Sequence, residues 1–407
     1  MQKSDRIADQ HLVLRLGERH KNGPFKLHTF YEFFAGGGMA RQGLGAGWQC
    51  LYANDFDHKK AEIYRRNWGD GEMDCADVRK VETGTLPGLA DLIWASFPCQ
   101  DLSLAGGGAG LKGDRSGTFW PFWNLVSKLT DERRKPKMVV LENVPGTLTS
   151  HKGKDFGAII EVFAKANYRV GAIVADAEKF VPQSRKRLFV IAVDAPLLVG
   201  LPLIGTMPDK KWSTPSLEKA HGLLSDQCKE AWVWWQTDAP PKRRKGLDKL
   251  LVENPDDVPW HTEEETTKLL NMMSDVNQKK VQDASRAGKT LCGTLYRRTR
   301  VNEFGEKVQR AEVRFDNVAG CLRTPAGGSS RQLVMVVDGN RIKSRLLSMR
   351  EAARLMGLPD TYKLPTNYNE AYHLLGDGVA VPVVRFISEN ILKPILEANK
   401  AKSLEAA

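Results

Sequence analysis

Short apolar runs alternate with amphipathic stretches through residues 27–194. This alternation is typical of strands followed by helices, which build an α/β protein around a parallel sheet. The stretches with helical spacing lie at residues 39–44, 59–67, 118–129 and 156–166. The runs that predict strands are LHTFYEFF, QCLYAND, DLIWASF, MVVLENV, YRVGAIVAD and LFVIAVD. We therefore predict a parallel α/β unit over this part of the chain.

The alternation stops near residue 196 and resumes with RQLVMVVD at residues 331–338. Proline, tryptophan and charged residues are scattered between these points, which indicates a separate, smaller domain. Two more segments, 348–356 and 383–398, have helical spacing, and we expect the last one to pack on the first domain. The predicted parts are an N-terminal extension (1–26), the first part of the main domain (27–195), the smaller domain (196–330) and a return to the main domain with a C-terminal helix (331–407).

The composition argues against several classes of protein. No apolar run approaches the length of about 18 residues that a membrane helix needs, and the first residues, MQKSDRIADQ, lack the apolar core of a secretory signal. The six cysteines are Cys50, Cys75, Cys99, Cys228, Cys292 and Cys321. They stand far apart without a CxxC pair, so we expect no disulfide framework, no metal site and a reducing, intracellular compartment. The formal net charge of +11 is compatible with a polyanionic partner.

A glycine-rich turn follows the first predicted strand. Phe34 and the glycines from Gly36 to Gly38 stand just before a helical segment, where glycine lets a ligand approach the backbone. Asp55 ends the next predicted strand, at the position where α/β folds hold a ribose hydroxyl. These residues favour a nucleoside-containing cofactor. Arg41 replaces the third glycine of a dinucleotide fingerprint, so pyrophosphate binding is disfavoured, and a turn without any ligand is the alternative.

Further strand ends carry reactive or charged side chains. Cys99 follows DLIWASF and precedes a long glycine-rich segment, typical of a loop that closes over a substrate; a thiolate at this crevice is suited to nucleophilic attack. Glu142 ends MVVLENV, while Arg185 and Arg187 precede LFVIAVD and point to one face of it. Because the ends of parallel strands share an edge, we expect these side chains to converge. Considered singly, Cys99 is compatible with a buried apolar thiol, Glu142 with a capping or surface carboxylate, and the two arginines with a solvated basic loop.

In this order and spacing, the motifs resemble those of the cytosine-5 DNA methyltransferase family, and in particular its bacterial type II modification methylases. The matching segments are FAGGG (34–38), NDF (54–56), ADV (76–78), FPCQ (97–100), ENV (142–144), QSRKR (183–187), CLRTPAGGSSRQ (321–332) and GDGVAVPVV (376–384). The succession of FPCQ, ENV and QxRxR is highly specific. The resemblance implies a Rossmann-like sheet of the S-adenosylmethionine-dependent methyltransferases, with a second, smaller domain that recognises the DNA target.

The resemblance also implies roles for single residues. Cys99 is the expected nucleophile, which adds to carbon 6 of a cytosine flipped out of duplex DNA so that carbon 5 can accept the methyl group. Glu142 is expected to hydrogen-bond to the cytosine ring, while Arg185 and Arg187 hold this carboxylate and the base oxygen. S-adenosyl-L-methionine is the implied cofactor, S-adenosyl-L-homocysteine its product, and no metal takes part. The expected cofactor contacts are Phe34, Gly36, Gly38, Asp55, Phe56, Asp77, Val78, Pro98, Asp377 and Val379.

Three residues depart from the usual pattern of the family. Met39 stands where a further glycine is common, and Ser96 precedes FPCQ in place of glycine. Asp377 changes the usual GNA or GNS to GDG. The resemblance implies that a carboxylate at this position lies near a positively charged sulfonium, so we expect Asp377 to alter the affinity for the cofactor.

The implied partner is double-stranded DNA, bound by a monomer at the nucleoid of a bacterial cytoplasm, and a cognate restriction endonuclease is a candidate companion. Residues 293–300, GTLYRRTR, are the best candidates for major-groove contact because arginine pairs well with guanine edges. The tryptophans expected to form the core of the smaller domain are Trp212, Trp232, Trp234, Trp235 and Trp260. Two alternatives stay open: a methyltransferase that acts on cytosine-5 of RNA such as tRNA, and a non-catalytic DNA-binding protein on a methyltransferase scaffold.

Overall fold

The computed structural model describes residues 27–98, 116–324 and 331–405. The strands in these ranges are β1 His28–Phe33, β2 Trp48–Asn54, β3 Met73–Asp74, β4 Leu92–Ala95, β5 Met138–Asn143, β6 Tyr168–Asp176, β7 Lys186–Asp194, β8 Ile204–Gly205, β9 Trp234–Trp235, β10 Leu291–Val301, β11 Lys307–Arg314, β12 Leu333–Asp338 and β13 Arg341–Leu346. The α-helices are α1 Met39–Leu44, α2 His58–Trp68, α3 Phe119–Asp131, α4 Lys154–Lys165, α5 Pro215–Gly222, α6 Asp226–Ala231, α7 Glu263–Asn271, α8 Asp275–Ser285, α9 Met349–Leu355, α10 Tyr368–Asp377, α11 Val381–Ile387 and α12 Lys393–Glu405. None of the helices in these ranges is long and apolar enough to cross a membrane.

The larger sheet has seven strands in the order β3-β2-β1-β4-β5-β7-β6. Neighbours from β3 to β5 run parallel, as the alternation predicted, whereas β7 pairs antiparallel with both β5 and β6. The prediction of a parallel arrangement is therefore wrong for this end of the sheet. The physical reason is the short link from Asp176 to Lys186, because a parallel crossover needs about a dozen residues or more.

Helices cover both faces of the larger sheet. One apolar cluster includes α1, α2 and α9 to α12, and the other includes α3 and α4. Strands β4 and β5 lie between these clusters and are buried along their whole length, as expected for central strands covered on both faces. The predicted C-terminal helix forms α11, a π-helical turn at Ser388–Leu392 and α12. It packs closely on α1, since a Cβ added to Gly43 would lie 2.3 Å from Cβ of Val384.

A second, antiparallel sheet has four strands in the order β11-β10-β12-β13. Helices α7 and α8 contribute Leu269 and Val281 to an apolar cluster with Met335 of β12. Strand β10 pairs with β12 over residues 291–295, and its pairing with β11 continues to Val301. The β10–β11 ribbon, residues 296–312, therefore extends beyond the rest of this sheet.

Two observations differ from the prediction of a smaller domain over residues 196–330. Strands β12 and β13 follow residue 330, the predicted boundary, yet they belong to the same sheet as β10. Of the predicted core tryptophans, Trp212, Trp232, Trp234 and Trp235 are buried, but they join the clusters of the larger sheet, and Trp260 is only half-buried. The backbone N of Val233 donates to O of Val170 at 2.9 Å, so this segment covers the edge strand β6. The limits of the smaller domain stay a prediction.

Candidate active site

The candidate site lies along the edge where the parallel strands end. Strand β1 ends before the glycine turn, β2 before Asp55 and β4 shortly before Pro98. Glu142 lies at the end of β5, at the same edge. Because β7 runs antiparallel to β5, its first residues lie beside the last residues of β5, and Leu188 pairs with Asn143. Arg187 in β7 and Arg185 just before this strand therefore lie at the same edge as Glu142.

The glycine turn is open on one side and tightly packed on the other. Phe34, Gly36 and Gly38 have φ angles of 56°, 54° and 77°, in the left-handed region that favours glycine. A Cβ added to Gly36 would meet no atom within 4 Å, whereas a Cβ on Gly38 would lie 2.3 Å from Nε1 of Trp68. The turn thus leaves room for a ligand beside Gly36, while Gly38 is required for packing against α2.

Asp55 holds this turn in place and is 7% exposed. Its Oδ2 accepts a hydrogen bond from N of Gly36 at 2.8 Å, and its Oδ1 accepts one from N of Asp57 at 2.9 Å. Burial raises the pKa of the Asp55 carboxyl group above its ordinary value, against the opposing effect of Lys60. Phe56 follows directly, and 68% of its side chain is exposed, which leaves a ring face available for stacking.

Asp77 and Val78 lie close to the end of β2. Nδ2 of Asn54 donates to O of Ala76 at 2.8 Å, which ties their segment to the strand that precedes Asp55. Asp77 caps a short helical turn by accepting a hydrogen bond from N of Arg79 at 3.0 Å, and Val78 is buried. Both predicted residues therefore border the edge occupied by Asp55.

Asp377 ends α10 and forms an ion pair with Lys60 of α2, with 2.7 Å between Oδ2 and Nζ. Its Oδ1 accepts a hydrogen bond from the Thr324 hydroxyl. Burial opposes ionisation, but Lys60 and Thr324 bring the pKa of Asp377 below its ordinary value. Val379 lies nearby and is buried. Lys60 was not predicted from the sequence, where the signal was limited to the replacement of asparagine by Asp377.

Glu142 is paired with Arg187, with 3.0 Å between Oε1 and Nε, and their side chains are 6% and 16% exposed. The neighbouring residue, Asn143, donates from Nδ2 to O of Phe97 at 3.2 Å. This hydrogen bond ties the end of β5 to the segment after β4 that leads to Pro98, which is half-buried. The structure thus brings Glu142 and Arg187 together and ties the end of β5 to Phe97, whereas the predicted convergence with Cys99 stays a prediction.

Arg185 occupies a different position from the one expected. It is 1% exposed, and its Nη1 donates to O of Leu322 at 2.9 Å. Its Nη2 donates to O of Gly376 at 2.8 Å and to O of Gly378 at 2.5 Å. Burial and the positive charge of Arg187 lower the pKa of Arg185. Its hydrogen bonds thus join β7 to two later segments, whereas Arg187 contacts the carboxylate.

Cys99 and the glycine-rich segment after it, through residue 115, lie outside the described residues, as do residues 325–330 of the CLRTPAGGSSRQ segment. Cys321, for which the sequence favoured a buried apolar role, contacts Nη1 of Arg185 with Sγ at 3.4 Å. Although burial acts against ionisation, Arg185 and Arg187 lower the pKa of this thiol. The position of Cys321 in the sequence, far from the other cysteines, did not indicate this contact.

Comparison with known families identifies the chemistry. Residues 28–393 match the family described as C-5 cytosine-specific DNA methylase. The chain belongs to this family. Its members transfer a methyl group from S-adenosylmethionine to carbon 5 of cytosine, and the methylase is thus a DNA (cytosine-5) methyltransferase. The resemblance found in its motifs is confirmed.

Relatives match the methylase over most of their length. The type II methyltransferase M.NlaIV of Neisseria lactamica is 23% identical over 439 residues, which cover 89% of this chain and 98% of the relative. The type II methyltransferase M.HhaI of Haemophilus parahaemolyticus is 25% identical over 364 residues, which cover 89% of this chain and 93% of the relative.

Solved structures share the fold of the methylase. The S. pombe Dnmt2 methyltransferase has a TM-score of 0.56 and 16% identity, covering 91% of this chain and 99% of that one. The Entamoeba histolytica methyltransferase EhMeth has a TM-score of 0.60 and 14% identity, covering 89% and 97%. These likenesses confirm the predicted α/β methyltransferase fold. Within the described ranges, no group of three or more His, Cys, Asp or Glu residues is arranged to hold a metal ion.

Proposed function

We propose that the methylase modifies a cytosine within a specific short sequence of duplex DNA and that Cys99 is its nucleophile. The observation that carries this proposal is the buried pair of Glu142 and Arg187 at the end of β5. The hydrogen bond from Asn143 to O of Phe97 ties this pair to the backbone two residues before Cys99. We infer that the Glu142 carboxyl group and the Arg187 guanidinium group act on the same base that Cys99 attacks.

These residue types suit the chemistry of cytosine. Carbon 5 is too electron-poor to attack a methylsulfonium directly, so the Cys99 thiolate adds to carbon 6, forms a C–S bond and makes carbon 5 nucleophilic. Glu142 donates a proton toward ring nitrogen 3, and Arg187 orients Glu142 and offsets charge at the base oxygen. After methyl transfer, the proton on carbon 5 leaves to solvent. Elimination of the Cys99 thiolate then restores the ring, and the proton at ring nitrogen 3 returns to Glu142.

When bound, S-adenosylmethionine supplies the methyl group as an electrophile. The residues present fit this cofactor: Gly36 leaves open space, Asp55 offers a carboxylate for the ribose, and Phe56 offers a ring face for the adenine. The further contacts that we propose are Phe34, Gly38, Asp77, Val78, Pro98, Asp377 and Val379. No metal enters the proposed reaction.

We place the DNA against one face of the β10–β11 ribbon. The Arg298 guanidinium lies 5.4 Å from the centre of the Tyr296 ring, and the Tyr296 hydroxyl donates to O of Cys321. Cys321 in turn contacts Arg185, two residues before Arg187, so we propose that this face of the ribbon is directed toward the pair of Glu142 and Arg187, which we call the base site. Arg300 shares the face because side chains alternate along a strand. Guanidinium groups at these positions are suited to guanine edges or phosphates.

The setting of this activity also follows the resemblance. We propose that the methylase acts as a monomer on DNA at the nucleoid of a bacterial cytoplasm, where the target base is flipped out of the duplex. A cognate restriction endonuclease is the candidate partner, and the type II names of the relatives support this assignment.

Transfer of a labelled methyl group tests the proposal. The purified methylase and its Cys99→Ala variant are each incubated with labelled S-adenosylmethionine and either duplex DNA of varied sequence or tRNA. We expect label in duplex DNA with the wild type and none with the variant. Label in tRNA but not in duplex DNA would overturn the choice of substrate. Binding of DNA and cofactor without any turnover would instead support a non-catalytic scaffold.

A further inference from the structure

Two ion pairs join α2 to α10, and they differ in burial. Nζ of Lys59 lies 2.7 Å from Oε1 of Glu370, and Nζ of Lys60 lies 2.7 Å from Oδ2 of Asp377. The side chain of Lys59 is 70% exposed, whereas that of Lys60 is 20% exposed. The first pair is a solvated contact of the surface. The second pair differs in its lysine, which is largely buried, whereas the carboxylates of the two pairs are similarly exposed, at 36% for Glu370 and 40% for Asp377.

Lys60 lies between two carboxylates that border the proposed cofactor site. It pairs with Asp377 and is also attracted to Asp55, which holds the glycine turn. Gly378, next to Asp377, packs on the residue that follows the turn, since an added Cβ would lie 2.3 Å from Sδ of Met39. The ion pair is therefore close to the turn whose other side is open to a ligand.

Asp377 is also fixed by the segment that returns from the second sheet. Thr324 donates to its Oδ1, and Gly376 packs so closely on this segment that an added Cβ would lie 2.9 Å from N of Thr324. Arg185 holds the carbonyl groups of Gly376 and Gly378. Contacts from several elements keep the carboxylate in one position, so the charge pair is formed before any ligand binds.

We propose that Lys60 and Asp377 bind the amino-acid end of S-adenosylmethionine, with Asp377 accepting from its ammonium group and Lys60 donating to its carboxylate. This inference rests on the cofactor proposed above. The amino-acid end carries one positive and one negative group, and the pair offers one charge of each sign in the opposite order. A carboxylate has about four lone-pair sites and an ammonium three donors, so both keep capacity after pairing with each other. Charge recognition would thus replace the neutral amide usual at position 377.

Binding of two ligands tests this inference without relying on turnover. S-adenosylhomocysteine carries the amino-acid end, whereas 5′-methylthioadenosine shares its adenine, ribose and thioether but lacks that end. We expect Lys60→Met and Asp377→Asn each to weaken S-adenosylhomocysteine binding about tenfold or more, measured by isothermal titration calorimetry. Binding of methylthioadenosine should stay unchanged, which also shows that the variants are folded. Lys59→Met is the matched control, and it should change the affinity for neither ligand.

The two residues act together, so their effects should not be independent. The double variant Lys60→Met/Asp377→Asn should lose less affinity for S-adenosylhomocysteine than the product of the two single losses. Equal losses for both ligands would overturn the inference, because the effect would then fall on the ribose site or on folding. Unchanged affinity of Lys60→Met for S-adenosylhomocysteine would overturn it as well. If the wild-type protein binds neither ligand, the proposed cofactor is wrong. This failure of the proposed function is distinct from failure of the inference, because it is measured on the wild type and not on the variants.

Discussion

The base site and the β10–β11 ribbon both pair arginine with a carboxylate, but they do so in different surroundings. Arg187 and Glu142 have side chains that are 16% and 6% exposed, whereas those of Arg300 and Glu312 are 50% and 30% exposed. Removing one partner of a buried pair leaves an uncompensated charge, while an exposed pair exchanges readily with water or a ligand. If the two regions have the roles proposed above, we expect the base site to be set before DNA binds and the ribbon to adjust to the DNA.

The largest effect is expected at the base site. Arg187→Ala should lower the rate of methyl transfer by about a thousandfold and the free energy of unfolding by about 3–5 kcal/mol, because Glu142 loses its buried partner. Single-turnover kinetics and urea unfolding measure these two quantities. Lys186→Ala is the control, since Lys186 is exposed between the two arginines and should leave both quantities nearly unchanged. Near-normal methylation by Arg187→Ala would remove the distinction between the two regions.

The glycine turn provides a second test, which measures how much close packing stabilises this edge of the sheet. Gly38→Ala should lower the free energy of unfolding by about 3 kcal/mol, because it combines a left-handed φ with a contact of 2.3 Å to Trp68. Gly36→Ala has a similar φ but no close contact, so it should cost only about 1 kcal/mol. Urea unfolding of both variants measures the difference. Equal losses would show that packing behind the turn contributes nothing.

A buried carboxyl group in β1 predicts a pH dependence of the same region. Glu32 is 1% exposed, and burial raises its pKa from 4.5 to about 8, against the opposing effects of Arg41 and Tyr64. Between pH values of about 5 and about 8, the folded state holds a proton that the unfolded state releases. The free energy of unfolding therefore falls as the pH rises through this range. Glu32→Gln removes the dependence, so its stability relative to wild type should grow by about 3–4 kcal/mol over this range. A constant difference between the two proteins would contradict the raised pKa.

The smallest effects on stability are expected in the ribbon, where specificity should change instead. Arg298→Ala should reduce discrimination between cognate and non-cognate duplexes about tenfold, with less than about 0.5 kcal/mol change in the free energy of unfolding. Competition binding and urea unfolding measure the two effects. Arg297→Ala is the matched comparison because its side chain alternates to the other face of the strand. A larger loss of discrimination from Arg297→Ala would place the DNA on that other face.

The positions of the strands were predictable from the sequence because apolar runs record burial directly. The direction of β7 was not, since periodicity carries no information about the direction of a strand, and a short link made it antiparallel. That reversal is what places Arg187 beside Glu142. Motif order predicted this pair, but it did not predict that Arg185 holds backbone carbonyl groups of later segments.

Contacts between distant segments were the least predictable part of the site. Lys60 lies in no motif, and its partner Asp377 is far away in the sequence, so the ion pair is apparent only once α2 and α10 are packed. The tryptophans of β9 were expected to be buried, but the sequence does not encode which core they join. In both cases the deciding information is the tertiary packing of segments that carry no shared pattern.

Base-resolution conversion sequencing tests the proposed reaction most directly. DNA is taken from a host without cytosine methylation that expresses either the wild-type methylase or Cys99→Ala, and binding of S-adenosylhomocysteine shows that the variant is folded. We expect the wild type to protect cytosines in one short motif and the variant to protect none. Protection by both proteins would show that Cys99 is not the nucleophile, and protection by neither would contradict duplex DNA as the substrate.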